Sequence, residues 1–169
     1  GEFPLASLSA PAEIGRDDQG VVIITAADRH DAARALGFAH GQDRFFQMDL
    51  ARRRAAGELA RLVGDAALGL DRATVGHRFR PLAVAAIAAL PADQKAELTA
   101  YTEGVNAGLG SLPKSPWEYA VLRAEPAPWL IEDCGLVFYA MVLELQNSTG
   151  SYEHNLTSLR DVMGEVSVD

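Results

Sequence analysis

A hydrolase that works alone needs a nucleophile, a base and an oxyanion stabiliser, and this sequence is poorly arranged to supply them. Its serines fall mostly in the first eleven positions and in late loops, and none sits in a Gly-x-Ser-x-Gly elbow. His30, His40, His77 and His154 are scattered. No two of them have the four-residue spacing that puts a pair of imidazoles on one helix face for a metal. Cys134 is the single cysteine, so it has no partner for an internal disulfide, and its apolar surroundings read as a buried thiol. There is no Gly-rich phosphate loop, and no carboxylate pair is spaced for acid–base work. No residue of this chain is assigned a catalytic role.

The polar residues that stand out instead lie within a helix-like pattern. From Asp43 to Gly64, Phe45, Met48, Ala51 or Arg52, Ala55, Leu59 and Leu62 recur at three- and four-residue steps, which is one face of a long amphipathic helix. Arg52, Arg53 and Arg54 sit in its middle, so at least one must turn toward the apolar side. A guanidinium cannot shed its charge, so that arginine needs a carboxylate or carbonyl partner. Gly64 is expected to stop the helix.

The elements around this stretch are mainly helical. Two short β-like runs, Glu13–Arg16 and Val21–Thr25, flank Asp17-Asp18-Gln19-Gly20 and predict a hairpin. Asp28 is placed to cap a helix from about Arg29 to Ala39. Asp65–Asp71 reads as a connector and Arg72–Ala89 as a helix interrupted by Pro81, with Leu82 to Leu90 packed. Pro91 suits the start of a helix reaching about Leu109, with Leu98, Tyr101, Val105 and Leu109 on one face. Gly104 and Asn106 there read as close helix packing and a buried amide bond. Cys134–Leu145 is apolar nearly all round and predicts a helix buried on most sides, in which Glu144 must reach solvent or a partner. A turn at Asn147–Gly150 precedes a last helix, Ser151 to Met163.

A chain of 169 residues suits one domain with a real core, and the abundance of alanine within its 49% hydrophobic residues favours helices. A formal net charge of −8 argues against nucleic acid or an anionic membrane as the main partner. No stretch reaches the ~20 apolar residues needed to span a bilayer. No basic and then apolar leader precedes Ala12, so any signal peptide is expected to have been removed already.

The string Gly37–Gly64, GFAHGQDRFFQMDLARRRAAGELARLVG, resembles the penicillin acylase family of N-terminal nucleophile amidases. The residues that carry the resemblance are Gly37, Phe38, Gln42, Asp43, Arg44, Gln47, Met48, Arg52, Arg53, Gly57 and Gly64. Arg16, Asp17, Gly20 and Val21 match a family hairpin signature, although Val22-Ile23 replaces the Pro-His that often follows. Tyr101, Gly104 and Asn106 match a further segment, and Trp129 with Asp133 matches the lead-in to the next helix. The similarity runs from about Glu13 to Asp161.

The resemblance implies a mainly α chain with a short N-terminal β hairpin, residues 1–169 forming a single domain. That domain would be the α subunit of a processed αβ heterodimer, completing an αββα four-layer fold. Its partner would be the β chain from the same precursor. That chain begins with Ser, Cys or Thr, whose α-amino group, with a pKa near ~7.7–8.0, serves as the base. The reaction would be hydrolysis of a small-molecule linear amide, in a bacterial periplasmic or secreted setting. The positions that line the acyl pocket in penicillin G acylases fall on Val142, Leu145 and Gln146, with Met141 beside them. The family's Met, Arg and Phe are replaced there, which implies a differently shaped apolar pocket. By pattern alone, Met141 to Leu145 reads equally as core. Glu153 is the nearest match to a family Ca²⁺ ligand, with one residue inserted. Read without the family, it is a carboxylate favoured at a helix start. A different class of function, a non-catalytic helical binding or interaction module, also fits a chain without a nucleophile.

Overall fold

The computed structural model describes residues 1–5, 7–146 and 150–163. Strands β1 (Glu13–Arg16) and β2 (Val22–Thr25) form the expected antiparallel hairpin, with Glu13 opposite Thr25 and Arg16 opposite Val22. Asp17 closes the turn. Its Oδ1 accepts from the amides of Gln19 and Val21, and Gly20 takes a left-handed φ of +81°. The hairpin rests on helix α1 (Arg29–Asp43), whose N-terminus Asp28 caps by accepting from the amides of His30 and Asp31.

Helix α1 runs through Gly37 and Gly41, beyond its expected end at Ala39, because both glycines face a second helix, α6 (Ala92–Gly110). The two lie parallel and backbone to backbone. A Cβ on Gly37 would come within 2.1 Å of the Tyr101 carbonyl oxygen, and one on Gly41 within 2.2 Å of that of Val105. From the other side, Gly104 and Gly108 leave 2.0 and 2.1 Å to the carbonyls of Arg34 and Phe38. Only hydrogen in place of a side chain permits this approach, which confirms close packing as the role of Gly104.

The helix expected from Asp43 to Gly64 is two helices. Arg44 leaves helical geometry, α2 covers Phe45–Ala56, and Gly57 ends it at φ +70°. A short α3 (Ala60–Val63) follows at a new angle. The buried carboxylate of Asp71 accepts from the amides of Leu59 and Ala60 at 2.9 and 2.8 Å, satisfying the start of α3 after the turn. Phe45, Arg52, Ala55, Leu59 and Leu62 are all buried, so the apolar stripe reaches the core although the helix bends.

A 3₁₀ turn (Gly64–Ala67) leads into α4 (Leu68–Val75). The helix expected over Arg72–Ala89 breaks at Gly76–Arg78, where Arg78 has φ +54°, and α5 (Phe79–Ala88) begins anew. Pro81 thus falls in a first turn, where its missing amide costs no helical bond. Of the residues expected to pack there, Ala83 and Ile87 are buried, whereas Leu82 and Val84 are exposed. Helices α7 (Trp117–Leu122), α8 (Ile131–Leu145) and α9 (Ser151–Met163) complete the described chain. Asn147, Ser148 and Thr149, where a turn was expected, lie outside the described residues.

The main core gathers Phe45, Leu62, Val105, Tyr119 and Trp129, and a smaller one joins Ala55 of α2, Ala83 of α5 and Leu136 of α8. Asn106 bonds both the amide and the carbonyl of Trp129, the buried amide bond expected of it.

Candidate functional site

Helix α8 carries most of the residues singled out for substrate, and its base is fixed by buried charge. Arg52 of α2 points inward, as the stripe required. Its Nε donates to Asp49 at 2.7 Å, its Nη1 to Asp133 at 2.5 Å and to the Pro128 carbonyl at 2.8 Å, and its Nη2 to the Ala127 carbonyl at 2.8 Å. The guanidinium carbon also lies 5.0 Å from the centre of the Trp129 ring. Asp49 further accepts from Arg53 and from the Tyr119 hydroxyl, at 2.9 and 2.7 Å. Burial first, and the adjacent Asp49 carboxylate second, push the Tyr119 phenol well above its ordinary value, so it remains a donor. Asp133 takes a second donor, the Leu130 amide at 2.8 Å, and a third, Arg80 of α5 at 3.2 Å, while Arg80 also grips Glu58.

The far half of α8 is different. Phe138, Met141 and Leu145 are exposed, Leu145 at 75%, and Val142 is half-buried. The expectation that this helix is buried on most sides is therefore not met within this chain. Its inner face packs on α2, α5 and α6, whereas its outer face leaves Phe138, Met141 and Leu145 exposed. Gln146, just past the helix, is exposed too. Met141, Val142, Leu145 and Gln146 are thus brought to one end of one helix, at the surface. Glu144 resolves its apolar context by pairing with Arg54 at 2.7 Å on the surface.

Glu153 lies exposed in the first turn of α9. Among the described residues no group of three or more His, Cys, Asp or Glu could hold a metal ion. A single carboxylate falls short of the six to eight oxygens that Ca²⁺ takes, so Glu153 fits calcium only as one ligand among others from outside this chain. Helix α9 presents Tyr152, Leu156, Leu159 and Met163 to solvent along one stripe. No helix of the described residues is long and apolar enough to cross a membrane.

Among the described residues, the titratable groups His40, Tyr101 and Cys134 share a cleft. A surface cleft of about 380 Å³ is lined by His40, Met48, Leu98, Tyr101, Cys134 and Val137, with Trp129 at its floor. His40 Nδ1 lies 2.9 Å from the Tyr101 hydroxyl, and burial lowers the imidazole below its usual value. Burial likewise lifts the Cys134 thiol, which disfavours the nucleophilic thiolate and fits an inert cysteine. The sequence reading did not single out Asp49, Glu58 or Arg80. The spacing of Asp49 to Arg52 and Arg53 (i, i+3 and i, i+4) was a usable signal, whereas Glu58 and Arg80 meet only through the break at Gly57.

The chain matches the family model for penicillin amidase over residues 11–169, and it belongs to that family. It is 43% identical over 129 residues to the penicillin acylase 2 proenzyme of Pseudomonas sp. (strain SE83), a match covering 76% of this chain and 17% of the relative. It is 32% identical over 156 residues to the acyl-homoserine lactone acylase QuiP of Pseudomonas aeruginosa, covering 89% of this chain and 18% of the relative. Among solved structures it is similar to a thermostable penicillin G acylase from Alcaligenes faecalis. That likeness has a TM-score of 0.72 at 28% identity and covers 91% of this chain and 85% of the chain compared. The chain therefore spans less than a fifth of the length of these curated relatives, yet most of one chain in a solved acylase.

Proposed function

We propose that residues 1–169 are the α subunit, scaffold and part of the substrate pocket, of an amidohydrolase that cleaves a linear N-acyl amide to a carboxylic acid and an amine. The observation that carries this reading is the contrast of lengths. A short part of a proenzyme corresponds to nearly a whole chain in a solved penicillin G acylase, as expected if a precursor is cut into a short and a long chain. The exposed apolar faces of α8 and α9 supply the surface that the long chain would cover.

In this reading the nucleophile is the N-terminal Ser, Cys or Thr of the β chain, activated by its own α-amino group. This chain's residues bind and orient the acyl group. Met141, Val142, Leu145 and Gln146, at the open end of α8, form part of the acyl pocket. Their mostly apolar character fits an apolar acyl group. Glu153 contributes one carboxylate to a Ca²⁺ shared with the β chain, and the ion acts on assembly. The assembled enzyme resides in a bacterial periplasm or outside the cell.

The test is to express the entire reading frame and determine the N-termini of the purified chains. Two chains are expected, the second beginning with Ser, Cys or Thr and hydrolysing N-acyl amides. A single unprocessed chain without amide hydrolysis would favour a binding module.

A further inference from the structure

We propose that Arg52 and Arg80 are positioning residues that aim α8 through Asp133 and so set acyl-chain selectivity; the selectivity part rests on α8 being a pocket helix. Asp133 is the third residue of α8 and is buried. Both its oxygens are held from other helices, Oδ2 by Arg52 of α2 and Oδ1 by Arg80 of α5. Arg52 also fixes the extended lead-in through the carbonyls of Ala127 and Pro128. Arg80 is itself oriented by two bonds to Glu58, at 3.0 and 2.9 Å. These forks set the direction of the helix at its first turn.

Further along, α8 has weaker guidance. Leu136 packs with Ala55 of α2 and Ala83 of α5, Gly135 lies against Ala83, and Tyr139 stacks on Phe79 at 4.6 Å, apolar contacts that lack the directionality of the charged forks. Near the far end the ion pair of Arg54 with Glu144 is exposed. A helix clamped at its base behaves as a lever. Val142 lies nine residues beyond Asp133, or about 13 Å along the axis, so a tilt of about 10° moves it by about 2 Å. That is the scale of one or two methylene groups, and one methylene in an apolar pocket discriminates substrates by about tenfold or more.

The charge of Arg52 is not what the lever needs. Lysine keeps the charge, but three donors on a single nitrogen cannot span the two carboxylates and two carbonyls that Arg52 holds with its planar fork. R52K in the complete processed enzyme is the first variant. R80Q, at a half-exposed position, is the second and is the gentler on folding. Each is measured against a series of straight acyl chains, with kcat and KM separated, and the tilt of α8 against α2 is read from crystal structures of the variants.

The expected result is a change of about tenfold in the kcat/KM ratio of long to short acyl chains, carried mainly by KM, with α8 visibly tilted. An unchanged ratio with unchanged tilt, whatever the fall in melting temperature, overturns the proposal. Failure of both variants to mature also overturns it, since the cluster would then serve folding alone. If the parent enzyme hydrolyses no amide, the functional reading fails, and the aiming role is still decided by the tilt.

Discussion

Asp49→Ala is expected to destabilise the protein far more than Asp43→Ala, although the two carboxylates are six positions apart in the same charged stretch. The Asp49 side chain is wholly buried and accepts from three donors: Arg52, Arg53 and the Tyr119 hydroxyl. Removing it leaves that hydroxyl without an acceptor, at about 1–3 kcal/mol. It also breaks two ion pairs whose arginines are largely buried. Loss of one partner of a buried pair typically costs about 3–5 kcal/mol. Arg52 keeps Asp133 and two carbonyls, so the lower end, about 3 kcal/mol, applies. Asp43 pairs with Arg16 at 2.6 Å, but the side chains are 38% and 42% exposed. Such a pair contributes about 0–1 kcal/mol. The assay is the urea midpoint of the assembled protein for each variant, with the Arg16→Ala/Asp43→Ala cycle as control. Equal destabilisation by the two substitutions, or a larger effect at Asp43, would refute this reasoning.

Gly104→Ala should lower stability by about 2 kcal/mol or more despite alanine's better helix propensity, because its Cβ meets a carbonyl oxygen at 2.0 Å; thermal melting of the assembled protein checks this. Burial raises the Tyr101 phenol from 10.0 to about 12. A raised value favours the neutral phenol in the fold, so this contribution is intact below pH 10.0 and is lost as pH rises toward about 12. Tyr101→Phe should flatten that part of a stability-versus-pH curve. The Ser9 hydroxyl holds the Asp31 carboxyl below its ordinary 3.8, so its contribution is present above that value and fades as pH falls further. Ser9→Ala should weaken the acid dependence in the same titration. Leu145→Ala and Val142→Phe should shift the preferred acyl length in opposite directions, by about 1–3 kcal/mol per methylene, and a uniform fall across the series would mark them as structural. Glu153→Gln should reduce bound calcium, measured by elemental analysis of the purified enzyme, and lower its melting temperature; equal calcium in parent and variant would remove Glu153 from the site.

The sequence made the stripe from Phe45 to Leu62 legible, and with it the inward arginine, because burial periodicity survives a bend. It did not reveal the bend itself. Gly57 reads as an ordinary helix glycine until Asp71, far along the chain, caps the next turn. Pro81 drew the expected break three residues too late, since proline fits a first turn as well as a kink. The exposure of α8 was missed for a different reason. An all-round apolar helix needs cover, but composition does not say whether the cover is in the same chain. The proposed pocket residues were placed by family likeness, and the structure gathers them at one helix end, whereas the meeting of Glu58 with Arg80 became visible only in three dimensions.

The parallel contact of α1 with α6 has a consequence for how the chain can be made. Parallel neighbours cannot be joined by a short turn. All of residues 44–91 lie between these two helices. During synthesis, at about 5–20 residues per second, α1 therefore waits on the order of several seconds for its partner surface. Meanwhile its bare glycine face offers little side-chain area to anything else. Lengthening one of the turns between the intervening helices should be cheap, since doubling a flexible loop costs only about 0.6 kcal/mol in closure entropy. Cutting it is another matter: a nick between residues 64 and 91 would make the two halves of this backbone-to-backbone contact separate chains, so that their meeting would depend on concentration.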